Sequence, residues 1–191
     1  QGSWLLRRAK ITNRFGVRGY AGGDNWCKQC VDFKEDRSVI KSGLAFLKLM
    51  DVQVDVEARP IISLKESEIK KAENLWGEKQ PNLKRIVIAP GGGFPMKCWG
   101  NDRFTELVYL LLKEKKLQVC ILGSQEDRNR IKYQKSLGDK RIQNLCGTLN
   151  LRKSAAFVSR ADFVFTNSSF CMHLAGAFKI PSISLLGEWY D

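Results

Sequence analysis

Residues 85–191 predict an α/β fold in which a parallel sheet is covered by helices on both faces. Five short apolar segments recur between Arg85 and Leu186. Stretches of helical length separate them, several with apolar residues on one face. Glycine or small polar residues follow the apolar segments, as where a strand passes into a helix. Strands alternating with amphipathic helices require parallel pairing with both sheet faces buried, a Rossmann-like arrangement.

The elements follow in order. Arg85–Ala89 (RIVIA) is a short, fully apolar strand, and a Gly/Pro-rich loop runs from Pro90 to Gly100. Asn101 or Asp102 caps a helix to about Glu114, with Phe104, Leu107, Val108 and Leu111 on one face. Gln118–Leu122 is the second strand and ends at Gly123. A charged helix is expected over Glu126–Leu137, closed by Gly138. Ile142–Leu145 is the third strand, and Asn150 caps a helix from Leu151 to Ser159. Asp162–Phe165, a helix from Ser169 to Phe178 and a last strand Ser182–Leu186 complete the repeats.

Residues 1–84 have a different pattern. Ile11–Val17 is strand-like and runs into the glycine-rich stretch Gly16–Gly23. A helix from Arg37 to Leu49, an extended segment Asp51–Ile62 and a helix to Trp76 follow. Ser63 and Glu66 suggest a capping box for that last helix, and Gly77 its end. One or two strands are too few for an independent sheet. The expected division is therefore 1–84, the tail of another α/β domain with its linker, and 85–191, a Rossmann-like domain.

Composition narrows the function classes. The chain has 191 residues, 43% hydrophobic, enough for a core. No apolar run reaches the length of a membrane span. The net charge of +12 is diffuse, with 16 Lys/Arg against 11 Asp/Glu in residues 1–84 and 16 against 9 in residues 85–191. No block of like charge forms a nucleic-acid arm, so an anionic membrane surface, a phosphorylated lipid or a nucleotide suits it as well as RNA. Cys27 and Cys30 form a CxxC without a second pair at zinc spacing, which favours free cytosolic thiols over a structural metal.

Three loops at strand ends carry chemistry. In Ala89–Trp99 (APGGGFPMKCW), Gly91, Gly92 and Gly93 let a backbone approach a phosphate or sugar, and Lys97 adds a point charge. It has neither the GK[ST] of a P-loop nor the G-x-G-x-x-G of a dinucleotide site. Gly123–Glu126 (GSQE) puts an acid where a ribose hydroxyl is commonly held. Thr166–Pro181 (TNSSFCMHLAGAFKIP) brings Asn167, Ser168 and Ser169 to a helix N-terminus, a ready anion site, with His173, the sole histidine, one turn in. No serine–histidine–acid set assembles around it.

Taken in order, PGGGFPMKCW, GSQEDRNRI and NLCGTLNLRKSAAFVSRADFVFTNSSFCMHLAGAFKIPSISLLG resemble the family-9 glycosyltransferases, the lipopolysaccharide heptosyltransferases. That family shows a P-G-x-S/G…K-x-W-p loop, a G-s-x-x-E turn and a t-N-D-[ST]-G-p-M-H-l-A element. The resemblance spans Arg85–Gly187 and extends weakly upstream through ITNRFGVRGYAGG. It implies the GT-B fold, with this half binding the nucleotide-sugar donor. Gly92, Gly93 and Lys97 would lie near the diphosphate and sugar, and Glu126 near the nucleoside. Leu149 would pack on the base. Asn167, Ser168, Ser169 and Phe170 would form the phosphate-facing turn, with His173 behind it. The implied reaction is inverting sugar transfer without metal or cofactor, from a nucleoside-diphosphate sugar of the ADP-heptose kind to an anionic glycolipid. The implied place is the cytoplasm, with peripheral contact at the inner membrane and no nucleic-acid partner.

Two departures stand against the pattern. Ser168 and Phe170 occupy the family's usual aspartate and glycine positions, which points to another donor sugar or impaired catalysis. The family's catalytic base belongs to the early N-terminal domain, so the chain is expected to be a fragment that binds donor without turnover alone. The alternative from another class is a non-catalytic basic α/β module that binds nucleotide or RNA.

Overall fold

The structure is a computed structural model and describes residues 2–20, 22–32, 39–53, 59–77, 82–132, 139 and 141–187. It comprises two compact units, Gln1–Arg59 and Pro60–Asp191.

In the first unit, helix α1 (Gly2–Arg8) precedes strand β1 (Phe15–Val17), helix α2 (Gly23–Trp26), strand β2 (Gln29–Val31) and helix α3 (Val39–Leu49). β1 and β2 pair in parallel, Phe15 opposite Gln29 and Val17 opposite Val31. The strand expected over Ile11–Val17 is thus confined to its last three residues. The Arg14 side chain donates to the carbonyls of Ile11 and Trp26, which ties the preceding chain into a turn and away from a ladder.

The second unit begins with helix α4 (Glu66–Trp76) and continues with strand β3 (Lys84–Ala89), helix α5 (Asn101–Lys113) and strand β4 (Leu117–Ile121). Strand β5 (Ile142–Asn144), helix α6 (Leu151–Val158), strand β6 (Phe163–Asn167), helix α7 (Phe170–Phe178) and strand β7 (Ser182–Leu185) follow. The five strands form one parallel sheet in the order β5-β4-β3-β6-β7, so the five expected strands are all present. The order reverses between β3 and β6, and ligands bind at such a switch point outside the carboxyl ends of the strands.

The two-residue period of the strands sorts the core. Val87, Ala89, Cys120, Leu122 and Val164 pack with Trp76, Phe157 and Leu174 on one face. Ile86, Ile88, Val119 and Ile121 pack with Phe104 and Val108 of α5 on the other.

Several boundaries differ from the sequence expectation. α4 belongs with the sheet, which moves the division from residue 84 to residue 59. The reason is aromatic packing: Trp76 stacks on Phe157 of α6 at 4.3 Å between ring centroids, and its Nε1 donates to the Phe157 carbonyl at 3.0 Å. The N-terminal cap of α4 lies two residues beyond the expected Ser63–Glu66 box, with Lys65 N donating to Glu68 Oε2 at 2.8 Å. Glu68 also binds Arg152 of α6, which fixes where the helix begins. α5 is capped by Gly100 rather than Asn101 or Asp102, at a φ of 114° that favours glycine. Glu126 opens a 3-10 turn, Glu126–Asn129, where the first turn of an α-helix was expected. There the Asp127 side chain folds back on Ser124, and the Asp127 carbonyl accepts from Arg130 N at i+3 spacing. Residues 133–138, including the expected Gly138 cap, lie outside the described residues.

Arg85, the one charged residue of the Arg85–Ala89 segment, is buried at 1% exposure. Its Nη1 donates to Glu73 Oε2 at 2.5 Å, its Nη2 to the Gly77 carbonyl at 2.9 Å, and its guanidinium lies 5.4 Å from the Trp76 ring centroid. Glu73 also accepts from Arg160 at 2.5 Å. Burial raises the Glu73 carboxyl pKa, and the two arginine hydrogen bonds outweigh it to hold the group below its ordinary value. A depressed carboxylate pKa adds stability above the unfolded value of about 4.3 and loses it as pH falls through the folded value. Glu73→Gln is expected to cost about 3 kcal/mol at neutral pH, the low end for stripping a buried ion of its partner because Glu73 is itself 32% exposed. The cost should shrink toward pH 3 in urea titrations. Equal stability of the two proteins at pH 7 would show that Glu73 does not carry the Arg85 charge.

Candidate functional site

A cleft of about 560 Å³ opens at the carboxyl ends of the strands in the second unit. Three chain segments, each following a strand, build its walls together with the start of α6. The glycine loop after β3 contributes Gly91, Gly92 and Gly93, and the turn after β4 contributes Gly123, Ser124, Glu126, Asp127 and Arg130. Leu149, Leu151 and Ser154 come from the start of α6, and Ser168–Cys171 and His173 from the start of α7. Eight of the ten predicted site residues, Gly92, Gly93, Glu126, Leu149, Ser168, Ser169, Phe170 and His173, therefore share one cavity.

The other two stand elsewhere. Lys97 closes the 3-10 turn Pro95–Lys97, its Nζ 5.6 Å from the centroid of the Phe94 ring, and is not part of the cleft wall. Asn167, expected among the ligand contacts, is fully buried beneath the glycine loop. Its Nδ2 donates to the carbonyls of Pro90 at 2.8 Å and Gly91 at 3.3 Å, while its Oδ1 accepts from Trp99 N at 3.1 Å. Its amide is thus committed to holding the loop, with both donor and acceptor used.

Local sequence explains the helix ends that face the cleft. Asn150 Oδ1 accepts from Lys153 N at 2.9 Å and caps α6 as expected. Ser169 takes the N-cap position of α7, but its hydroxyl meets Thr166 Oγ1 at 3.0 Å and gives α7 no side-chain cap. The first-turn N–H groups of a helix lack intrahelical partners, so those at the start of α7 suit an anion. Cys171, on the same turn, is buried, and burial pushes its thiol up to about 12, with Cys146 and Asp127 adding to the effect. It is a neutral wall at physiological pH.

Asp127 is the residue the sequence reading passed over. Counted from Gly123, the acid of a G-s-x-x-E turn falls at Asp127, not at the exposed Glu126. Asp127 is only 7% exposed, and its Oδ2 accepts from Ser124 N at 2.8 Å and Ser124 Oγ at 2.9 Å. Its carboxylate packs against Gly91 and Gly123 so closely that a Cβ at either would collide with it. The Ser124-x-x-Asp127 spacing was the available signal, because a hydroxyl and an acid three residues apart commonly lock a turn.

Removing the Asn167 amide leaves the Trp99 N–H and two carbonyls without that partner. Asn167→Ala is expected to destabilise the protein by about 2–4 kcal/mol, more than one hydrogen bond, because unmet buried groups carry their desolvation cost. Thermal and urea unfolding read this directly, and a loss below about 1 kcal/mol would mean that the loop holds itself.

The sequence model of glycosyltransferase family 9 (heptosyltransferase) matches residues 1–189. Over 107 residues the chain is 29% identical to lipopolysaccharide heptosyltransferase 2 of Salmonella typhimurium, a match covering 53% of this chain and 30% of that protein. Among solved structures, the E. coli ADP-heptose lps heptosyltransferase II aligns with a TM-score of 0.71 at 21% identity, over 95% of this chain and 58% of that one. A glycosyl transferase family 9 protein from Veillonella parvula gives 0.71 at 16% identity, over 97% and 54%. E. coli heptosyltransferase WaaC, solved with ADP, gives 0.60 at 16%, over 83% and 48%. The chain thus spans 30% of its curated relative and 58% and 54% of the first two solved chains. Its fold is the α/β fold of these GT-B proteins, and by the match through residues 1–189 the chain belongs to glycosyltransferase family 9.

Proposed function

We propose that the second unit is the donor-binding half of an inverting, metal-independent glycosyltransferase. Its donor would be a nucleoside-diphosphate sugar of the ADP-heptose kind, and its acceptor an anionic glycolipid of the lipopolysaccharide type. The observation that carries this reading is the single cleft in which Gly91–Gly93, Asp127, Leu149 and the first turn of α7 meet. Glycines admit a phosphate against the backbone, and the helix start offers N–H groups to its oxygens. Leu149 and Leu151 supply an apolar wall for a base. A relative of the same fold was solved with ADP, and another structure of it with ADP-2-deoxy-2-fluoro heptose, which supports a nucleotide sugar as the ligand.

The chemistry asked of this half is stabilisation of the departing diphosphate. Fixed N–H dipoles already aimed at the developing charge do this without reorganising at the moment of reaction. Lys97 would join them by swinging its flexible stem from the Phe94 ring toward the loop. The base that activates the acceptor is assigned to no residue of this chain. Among the described residues no helix is long and apolar enough to cross a membrane. Contact with the cytoplasmic face of an inner membrane is therefore proposed as peripheral, through the basic surface.

Calorimetry with ADP, GDP and UDP tests the donor site. At least one should bind, with unchanged affinity in the presence of a chelator, and Lys97→Ala should weaken it by about 1.5–3 kcal/mol, the scale of one charge-assisted contact. Equal affinity in the variant would remove Lys97 from the site. Binding that vanishes with the chelator would end the metal-independent reading.

Donor choice is tested at the α7 turn. Ser168→Asp together with Phe170→Gly restores a charged acceptor for a sugar hydroxyl and clears the ring. In the full protein the pair is expected to shift turnover toward ADP-heptose over other nucleotide sugars, by an interaction of about 1.5–3 kcal/mol. An unchanged ranking of donors would mean that this turn does not select the sugar.

A further inference from the structure

Among the described residues that line the cleft, Arg130 is the one arginine or lysine, and it shares the wall with two carboxylates, Asp127 and Glu126. Its Nε lies 2.6 Å from Asp127 Oδ1, with the side chain 28% exposed. That Nε is buried, yet its N–H is not aligned on any acceptor. The pair is therefore held by charge rather than by a directed hydrogen bond, and its geometry is easily shared with a third group. Among the described residues, neither Nη group hydrogen-bonds to the protein.

Asp127 cannot follow Arg130 if the guanidinium moves. Its Oδ2 is fixed by the Ser124 N–H and hydroxyl, and its carboxylate is wedged between Gly91 and Gly123. An anchored carboxylate thus sets the guanidinium next to the first residue of the glycine loop. The guanidinium is a planar fork of donors with no acceptor, matched to pairs of phosphate oxygens. Without it, the wall would present two carboxylates to a ligand that carries at least two negative charges.

We propose that Arg130 binds the phosphate oxygens of a nucleoside diphosphate in this cleft, and that Asp127 is the positioning residue that holds it there. This rests on the donor-site reading above. A merely structural ion pair would serve all ligands alike, whereas a phosphate contact separates a nucleoside from its diphosphate.

The test uses calorimetry with matched nucleoside and nucleoside diphosphate pairs carrying adenine, guanine and uracil, on the wild type, Arg130→Ala and Arg130→Lys. For the diphosphate that binds, Arg130→Ala is expected to lose roughly 10–100-fold in affinity, with the parent nucleoside unchanged. Arg130→Lys, which keeps the charge and loses the fork, should recover part of the loss. Arg130→Gln gives the same comparison should the alanine variant fail to fold. An unchanged diphosphate affinity, or an equal loss for nucleoside and diphosphate, overturns the assignment while leaving the donor site standing. A wild-type protein that binds none of the diphosphates removes the donor site and this inference with it.

Discussion

One buried amide holds the cleft in shape. The loop after β3 leaves the sheet at Pro90 and returns to it at Trp99, and both ends are tied to Asn167 at the end of β6. That position has no exposure at all, so whatever stands there must satisfy two carbonyls and one N–H with no help from water. An amide carries donor and acceptor together in a flat, short group. An aspartate would lack the donor, and a leucine would lack both. The loop is thereby fixed where the strand order reverses, and its glycines line the cleft on a rigid mount.

Rigidity at the opposite end of the sheet comes from a different device. Arg85 enters β3 with a charge that neighbouring strands cannot meet, and α4 supplies the answer with Glu73, the Gly77 carbonyl and the face of Trp76. Arg160 reaches the same carboxylate from the end of α6. Stability here is a matter of completion, since a buried ion pair contributes little net but is costly to break. The network joins α4, β3 and α6 into one body, which is why the helix before the sheet belongs to it.

Strand number, parallel pairing and the gathering of loops at one sheet edge were legible because they follow from periodicity and connection length. What the sequence concealed were side chains whose partners lie far along the chain. Trp76 and Phe157 are 81 residues apart, and nothing local assigns α4 to the sheet. Glu68 begins its helix where Arg152 holds it, not where the nearest serine allows. Asn167 had the character of a ligand contact because a polar residue at a strand end is usually exposed. Asp127 was missed for the converse reason: a run of charged residues suggested a solvated helix, while one of them turned inward to lock a 3-10 turn. Local pattern gives the class of a segment, and tertiary partners decide which polar residue faces the cleft.

The distribution of charge separates approach from recognition. The chain carries +12 in all, yet the described cleft wall contributes one cation and two carboxylates. A diffuse positive field raises the encounter rate of an anionic ligand, and ordinary salt screens it within about 8–10 Å. Inside the cleft the groups that suit an anion are few: helix-start N–H groups, the glycine loop backbone and, on the proposal above, the Arg130 guanidinium beside Asp127. Such groups are oriented before the ligand arrives, so less of the interaction is lost to ordering them. The Cys171 thiol, pushed up to about 12, adds no charge to oppose them at neutral pH. Salt should therefore slow arrival more than it loosens the bound state, because the surface charges act at long range and the cleft groups at contact.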